Sequence, residues 1–185
     1  MKEEEAARLK RDIKQQFRLL MNGTASRSQN EKGMNYRINW GVQLADLQRL
    51  AADYPKDVVL ASSLWEEDIR ECRIMALLLM PPEEVSEAVA DSWTTRLETQ
   101  ELAELSAFYL FQYIPDAAKV AFRWLKGPQT LRRLCAYSML SRLSRSGLTL
   151  DESQRLLLKR QAEKDLAGAS LSLAHAANNC LFRFF

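Results

Sequence analysis

Apolar positions along this chain recur at intervals of three and four residues, a period that predicts helices throughout. Ala7, Leu9, Ile13, Phe17, Leu20 and Met21 line one side of a charged stretch over residues 3–21, and Asn22-Gly23 is predicted to end that helix. The polar segment NGTASRSQNEKGMNYRINWG follows, with glycines at 23, 33 and 41, and reads as a loop over about 22–41. Loops of that length inside a compact domain are often functional. Leu44, Leu47, Leu50 and Ala51 then restore the helical period up to Tyr54-Pro55, and another helix is predicted from about Asp57 to Trp65.

The next segment organises the rest. In LASSLWEEDIRECRIMALLLMPP, Ile69, Cys72, Ile74, Met75, Ala76, Leu77, Leu78 and Leu79 leave no polar face wide enough for a surface helix. A helix that is apolar nearly all round has neighbours on several sides. Arg70, Glu71 and Arg73 are charges set against that run. Charges taken out of water must pair, so these three are expected to lock one helix pair to the next.

Pro81-Pro82 stops this helix, with Pro82 placed for the first turn of the next and Glu83, Glu84 and Glu87 suited to a positive helix start. That helix is predicted to end near Trp93, and Thr95-x-x-Glu98 reads as a capping box for a helix running to Tyr113. After Pro115, Asp116 is a candidate cap for a helix through Trp124, closed by Gly127-Pro128. Residues 129–145 read as one longer helix ending at Gly147. Thr149-x-x-Glu152 opens a helix to about Lys164, and after Gly168 a last apolar helix reaches Phe184. This makes about ten helices and no run that reads as a strand. Trp65, Trp93 and Trp124 are 28 and 31 residues apart, and helix pairs at such periods suggest an α-solenoid of the HEAT or armadillo kind. The predicted fold is therefore all-α, an α-α superhelix of helical repeats forming one domain over 1–185.

Composition narrows the function. The chain has 185 residues, 47% of them hydrophobic, enough for a sizeable core, but no uncharged apolar run long enough to cross a membrane. MKEEEAARLKRD is too charged for a signal peptide. Cys72, Cys135 and Cys180 are dispersed within apolar helical patterns, which predicts buried reduced thiols, a cytoplasmic location, and neither disulfides nor zinc. His175 is the single histidine and reads as a core or interface residue. No GxxxxGK[ST] or GxGxxG occurs, so nucleotide chemistry lacks its phosphate cradle and no cofactor is expected.

Net charge is only +2, but its distribution is uneven. Residues 81–116 hold eight acids and one base, whereas residues 117–150 hold seven bases and no acid. Lys119, Arg123 and Lys126 share one helix face, with Trp124 beside them. Arg132 and Arg133 open the next helix, where backbone amides also favour an anion, and Arg142 and Arg145 share a face at its end. Two readings stay open: cations following phosphates along the inner wall of a solenoid, or a basic face that complements the acidic segment beside it. The lack of any acid over 34 residues favours an anionic partner. Trp40 and Trp65 read as packing, while Trp93 and Trp124 lie at helix edges near the charged face. Asn178-Asn179, in an apolar terminal helix, need hydrogen-bond partners or an open cleft.

LWEEDIRECRIMALLLMP, with its Leu-Trp, acidic stretch and Arg-Glu-x-Arg corner, resembles a segment of the AlkD-like alkylpurine DNA glycosylases. RWLKGPQTLRRLCAYSML and KGMNYRINWGVQLADLQRLAADY are similar to other segments of that family, in the same order, so that the resemblance covers most of residues 10–185. It implies HEAT-like repeats with a concave basic surface for duplex DNA, and N-glycosidic cleavage assisted by two tryptophans and an aspartate. The family's Trp-x-x-x-Asp finds Trp93 followed by Leu97, with Glu98 one position later, and the family's second tryptophan position holds Asn179. Arg132 and Arg133 match the family's arginine pair near the DNA backbone. The reading that follows is a DNA-binding protein of the alkylation-repair class with base excision lost or altered. Lys119, Arg123, Trp124, Lys126, Arg132, Arg133, Arg142 and Arg145 would be its DNA-contacting residues, Trp93 and Glu98 its candidate catalytic groups, and Asn178 and Asn179 its cleft candidates. The alternatives are a non-catalytic scaffold for a protein partner and an active glycosylase using Glu98.

Overall fold

A computed structural model describes residues 1–168 and 170–185. Among them the chain is helical, with eleven α-helices and two short 3-10 turns. By packing it divides into two compact units, Met1–Val85 and Ser86–Phe185.

The first unit holds α1 (Glu3–Leu19), α2 (Gly23–Glu31), α3 (Leu44–Ala51), α4 (Val58–Trp65) and α5 (Arg70–Leu79). Helix α5 packs against α3 and α4, and α1 lies on α4. As its sequence predicts, α5 is buried almost throughout, with Leu78 alone partly open. The unit closes with a 3-10 turn at Pro82–Glu84.

The polar stretch at 22–41 is not one loop. Asn22, expected to end α1, instead caps α2 by accepting from the Ala25 N–H at 3.0 Å. Polar side chains without an apolar stripe hide such a helix from periodicity. What holds it is a set of local bonds. The Ser26 hydroxyl donates to the Asn39 carbonyl at 2.8 Å, and the Asn39 amide donates to Gln29 at 2.9 Å. Gly41 has φ +73°, and a Cβ there would collide with the Asn22 carbonyl. Only glycine fits that close approach.

The buried charges of α5 pair, as their desolvation requires, but Glu71 closes on this loop and does not bridge helix pairs. Its carboxylate accepts from the backbone N–H groups of Trp40 and Val42, each at 3.2 Å, and from Arg70 at 3.3 Å. Arg70 also donates to the Val42 carbonyl at 3.0 Å, and Arg73 pairs with Asp68 at 2.7 Å. One carboxylate thus satisfies two donors of a segment that has no helix or sheet to do so.

The second unit holds α6 (Glu87–Thr94), α7 (Gln100–Tyr109), a 3-10 turn (Phe111–Tyr113), α8 (Ala117–Leu125), α9 (Thr130–Arg145), α10 (Glu152–Leu166) and α11 (Leu171–Phe184). Helix α9 is its centre, packed on α7, α8 and α11, while α10 covers α11. Leu134, Cys135, Ala136, Tyr137, Met139 and Leu140 of α9 are all buried. The three cysteines are buried and reduced, and burial pushes the Cys72 and Cys180 thiols up to about 12.

Several caps fall a few residues from their predicted places. Val85 interrupts the run after Pro82, so Ser86 caps α6, and Glu87 is the acid in its first turn. Thr95 ends α6, donating to the Ser92 carbonyl at 2.7 Å, and the buried Thr99 caps α7. Asp116 adopts φ +54° and makes no side-chain cap. The capping box of α10 is Asp151 with Gln154 and not Thr149 with Glu152. Threonine and aspartate at neighbouring positions compete for the same N–H groups, and packing decides which one wins.

Candidate nucleic-acid interface

The basic residues singled out above fall into three structural groups. The first is on α8. Lys119 pairs with Glu87 of α6 at 2.8 Å. Arg123 reaches Glu87 at 3.3 Å and Asp91 at 2.7 Å. Asp91 also accepts the Trp124 indole N–H at 2.6 Å. Partial burial opposes ionisation of Asp91, but the bonds from Arg123 and Trp124 outweigh it and hold the carboxyl below its usual range. Trp124 itself is 1% exposed and packs edge-on against Phe111, so it is a core residue with one polar bond. On this side the acidic segment neutralises the basic one. Lys126 is exposed and lines a groove of about 870 Å³ between α8 and α10, together with Lys119, Arg123 and Leu157.

The second group opens α9. Arg132 donates to the Asp91 carbonyl at 2.9 Å. Arg133 donates to the Gly127 carbonyl at 2.9 Å and meets Asp165 at 3.2 Å. Asp165 is buried and also accepts from Tyr137 at 2.8 Å. Each arginine is thus tied to the protein by one hydrogen bond, Arg133 by an ion pair as well, while among the described residues the buried Nε of each lacks a hydrogen-bond partner.

The third group differs. Ser138, Ser141, Arg142 and Arg145 form one stripe of α9 at helical spacing, and His175, Asn179, Phe182 and Arg183 form one stripe of α11. The two stripes, with Glu104 of α7, line a cleft of about 580 Å³. The Arg142 guanidinium lies 3.8 Å from the centre of the Phe108 ring, which holds it by a cation–π contact. Partial burial and the nearby charge of Arg145 both work against the Arg142 cation. Among the described residues, Arg142, Arg145 and Arg183 form no ion pair with a protein carboxylate. Three cations facing one carboxylate in one cleft is an anion-attracting arrangement.

Asn179 is thus in a cleft, as its place in an apolar helix suggests, whereas Asn178 is exposed outside it. Trp93, 6% exposed at the end of α6, and Glu98, exposed in the turn before α7, do not line this cleft. Charge counting missed Arg183 because it lies beyond residue 150 and Phe182 because it carries no charge, and His175, expected in the core or an interface, is exposed in this cleft. Their spacing of four, three and four residues from His175 and Asn179 was the available signal. Among the described residues no cluster of His, Cys, Asp and Glu could hold a metal ion, and no helix is long and apolar enough to cross a membrane.

The family model described as DNA alkylation repair enzyme matches residues 6–181. The chain belongs to that family. A solved structure, from "a new family of proteins related to the HEAT-like repeat DNA glycosylases with affinity for branched DNA structures", superposes with a TM-score of 0.81. It is 17% identical, and the match covers 94% of this chain and 74% of that one. The fold of this family member is accordingly all-α with HEAT-like repeats. No curated protein matches the chain.

Proposed function

We propose that this member of the DNA alkylation repair family binds DNA through its phosphates, using the cleft between α7, α9 and α11. The observation that carries the reading is the set of three arginines, Arg142, Arg145 and Arg183, that share one cleft with Glu104 and, among the described residues, form no ion pair with a carboxylate. Phosphate oxygens supply the acceptors that the protein withholds. The structural relative's affinity for branched DNA supports the same class of ligand. Lys119 and Arg123 contribute little to this grip, because leaving Glu87 and Asp91 would cost their existing bonds. Base excision is not part of the proposed function, and Trp93 and Glu98 have no assigned role in it.

Salt dependence tests this. Three phosphate contacts give a log–log slope of about −3, so affinity for a linear or branched duplex should fall roughly 40-fold between 50 and 200 mM salt. Replacing both Arg142 and Arg145 by alanine should bring the slope to about −1. A wild-type protein with no DNA affinity at low salt overturns the reading.

A further inference from the structure

Phe182 is 87% exposed, although it borders the cleft that holds the three arginines. An aromatic ring left in water beside cations has no packing role within the unit. It follows Asn179 by three residues and precedes Arg183, so the stripe on α11 carries an amide, a ring and a guanidinium in succession. The amide of Asn179 both donates and accepts, as a base edge requires. The ring offers a face for stacking, which is open to any base that has left its pair. A guanidinium next to it takes the phosphate that accompanies such a base.

We propose that Phe182 stacks on an unpaired base, with Asn179 against its edge, so that the cleft selects DNA where pairing is interrupted. This rests on the reading of the cleft as the DNA-binding surface. A fully paired duplex presents phosphates to Arg142, Arg145 and Arg183 but no free base face, and should bind through charge alone. A gap, bulge or branch point adds the stacking contact.

The full chain is titrated at low salt with two probes of equal length, a paired duplex and one containing a single unpaired 2-aminopurine. Wild type should bind the second about tenfold more tightly and change its 2-aminopurine fluorescence on binding. Phe182→Ala should abolish both differences while leaving the paired duplex within about twofold, and Phe182→Trp should retain them. Equal wild-type affinity for the two probes, or Phe182→Ala weakening both alike, overturns the stacking role while leaving phosphate binding intact. Loss of binding to both probes in wild type overturns the phosphate reading itself. Unchanged helical circular dichroism confirms that each variant is folded.

Discussion

Asp91 of α6 accepts the indole N–H of Trp124 of α8 at 2.6 Å, from a residue 33 positions further along the chain. The neighbouring ion pairs, Glu87 with Lys119 and Asp91 with Arg123, each span 32 positions. One helix thus meets its counterpart a repeat later through acids on the first and bases on the second. The swing in charge between residues 81–116 and 117–150 is in part this stacking contact.

Removing the Asp91 carboxylate exposes that contact to measurement. Asp91→Ala leaves a buried indole N–H without its acceptor, and should lower stability by about 1–3 kcal/mol in urea unfolding with the m-value unchanged. The pH dependence has a defined sign. The folded carboxyl titrates below the unfolded one, so its contribution is complete above about pH 4 and disappears as pH falls through the depressed folded value. The gap between wild type and Asp91→Asn should therefore narrow from pH 5 to pH 3.

Glu71 is the single acceptor of two loop amides and is fully buried. Glu71→Ala strands those amides and leaves Arg70 without that carboxylate, which should cost about 3–5 kcal/mol. Hydrogen exchange should locate the loss, with the amides of Trp40 and Val42 losing protection first. Gly41→Ala should weaken the same segment by more than the roughly 1–3 kcal/mol of a left-handed backbone, because its Cβ would also collide with the Asn22 carbonyl.

Tyr137 and Asp165 join α9 to α10 inside the second unit. Tyr137→Phe removes one bond to a carboxylate and should cost about 1.5–3 kcal/mol in chemical unfolding. Burial and the Asp165 partner both push the Tyr137 hydroxyl above its ordinary value. Its contribution is complete below about pH 10 and falls as pH rises above it, because the unfolded chain ionises first. Spectrophotometric titration of wild type should show one tyrosine that resists ionisation until the protein unfolds.

The division of the cations predicts a contrast in DNA binding. Lys119→Ala with Arg123→Ala should change affinity for a duplex by less than about twofold, whereas Arg142→Ala with Arg145→Ala should reduce it by tenfold or more at low salt. Equal losses from the two double variants in filter binding would place phosphates on α8 as well as in the cleft.

The helical class, the buried helix at 70–79 and the repeat spacing were legible because each depends on local periodicity or on residues that tolerate few environments. Seven apolar residues in a row after Arg73, Ile74 to Met80, can only be a core element. Helix α2 was not legible, since Ser, Thr, Gln and Asn make the same pattern in a loop. The caps slipped by a few residues for a similar reason: several side chains near each helix start were chemically able to do the task.

The sequence by itself determined that cations and acids were concentrated in adjacent segments, and that Asn179 needed an unusual setting. Tertiary structure decided which charges cancel. Lys119 and Arg123 lie one repeat beyond Glu87 and Asp91 and meet them, while Arg142 and Arg145 turn to α11, where Arg183, His175 and Asn179 wait. Charge along a chain is a one-dimensional quantity. Its worth to a partner depends on distances of a few ångströms between helices, and those are set by packing.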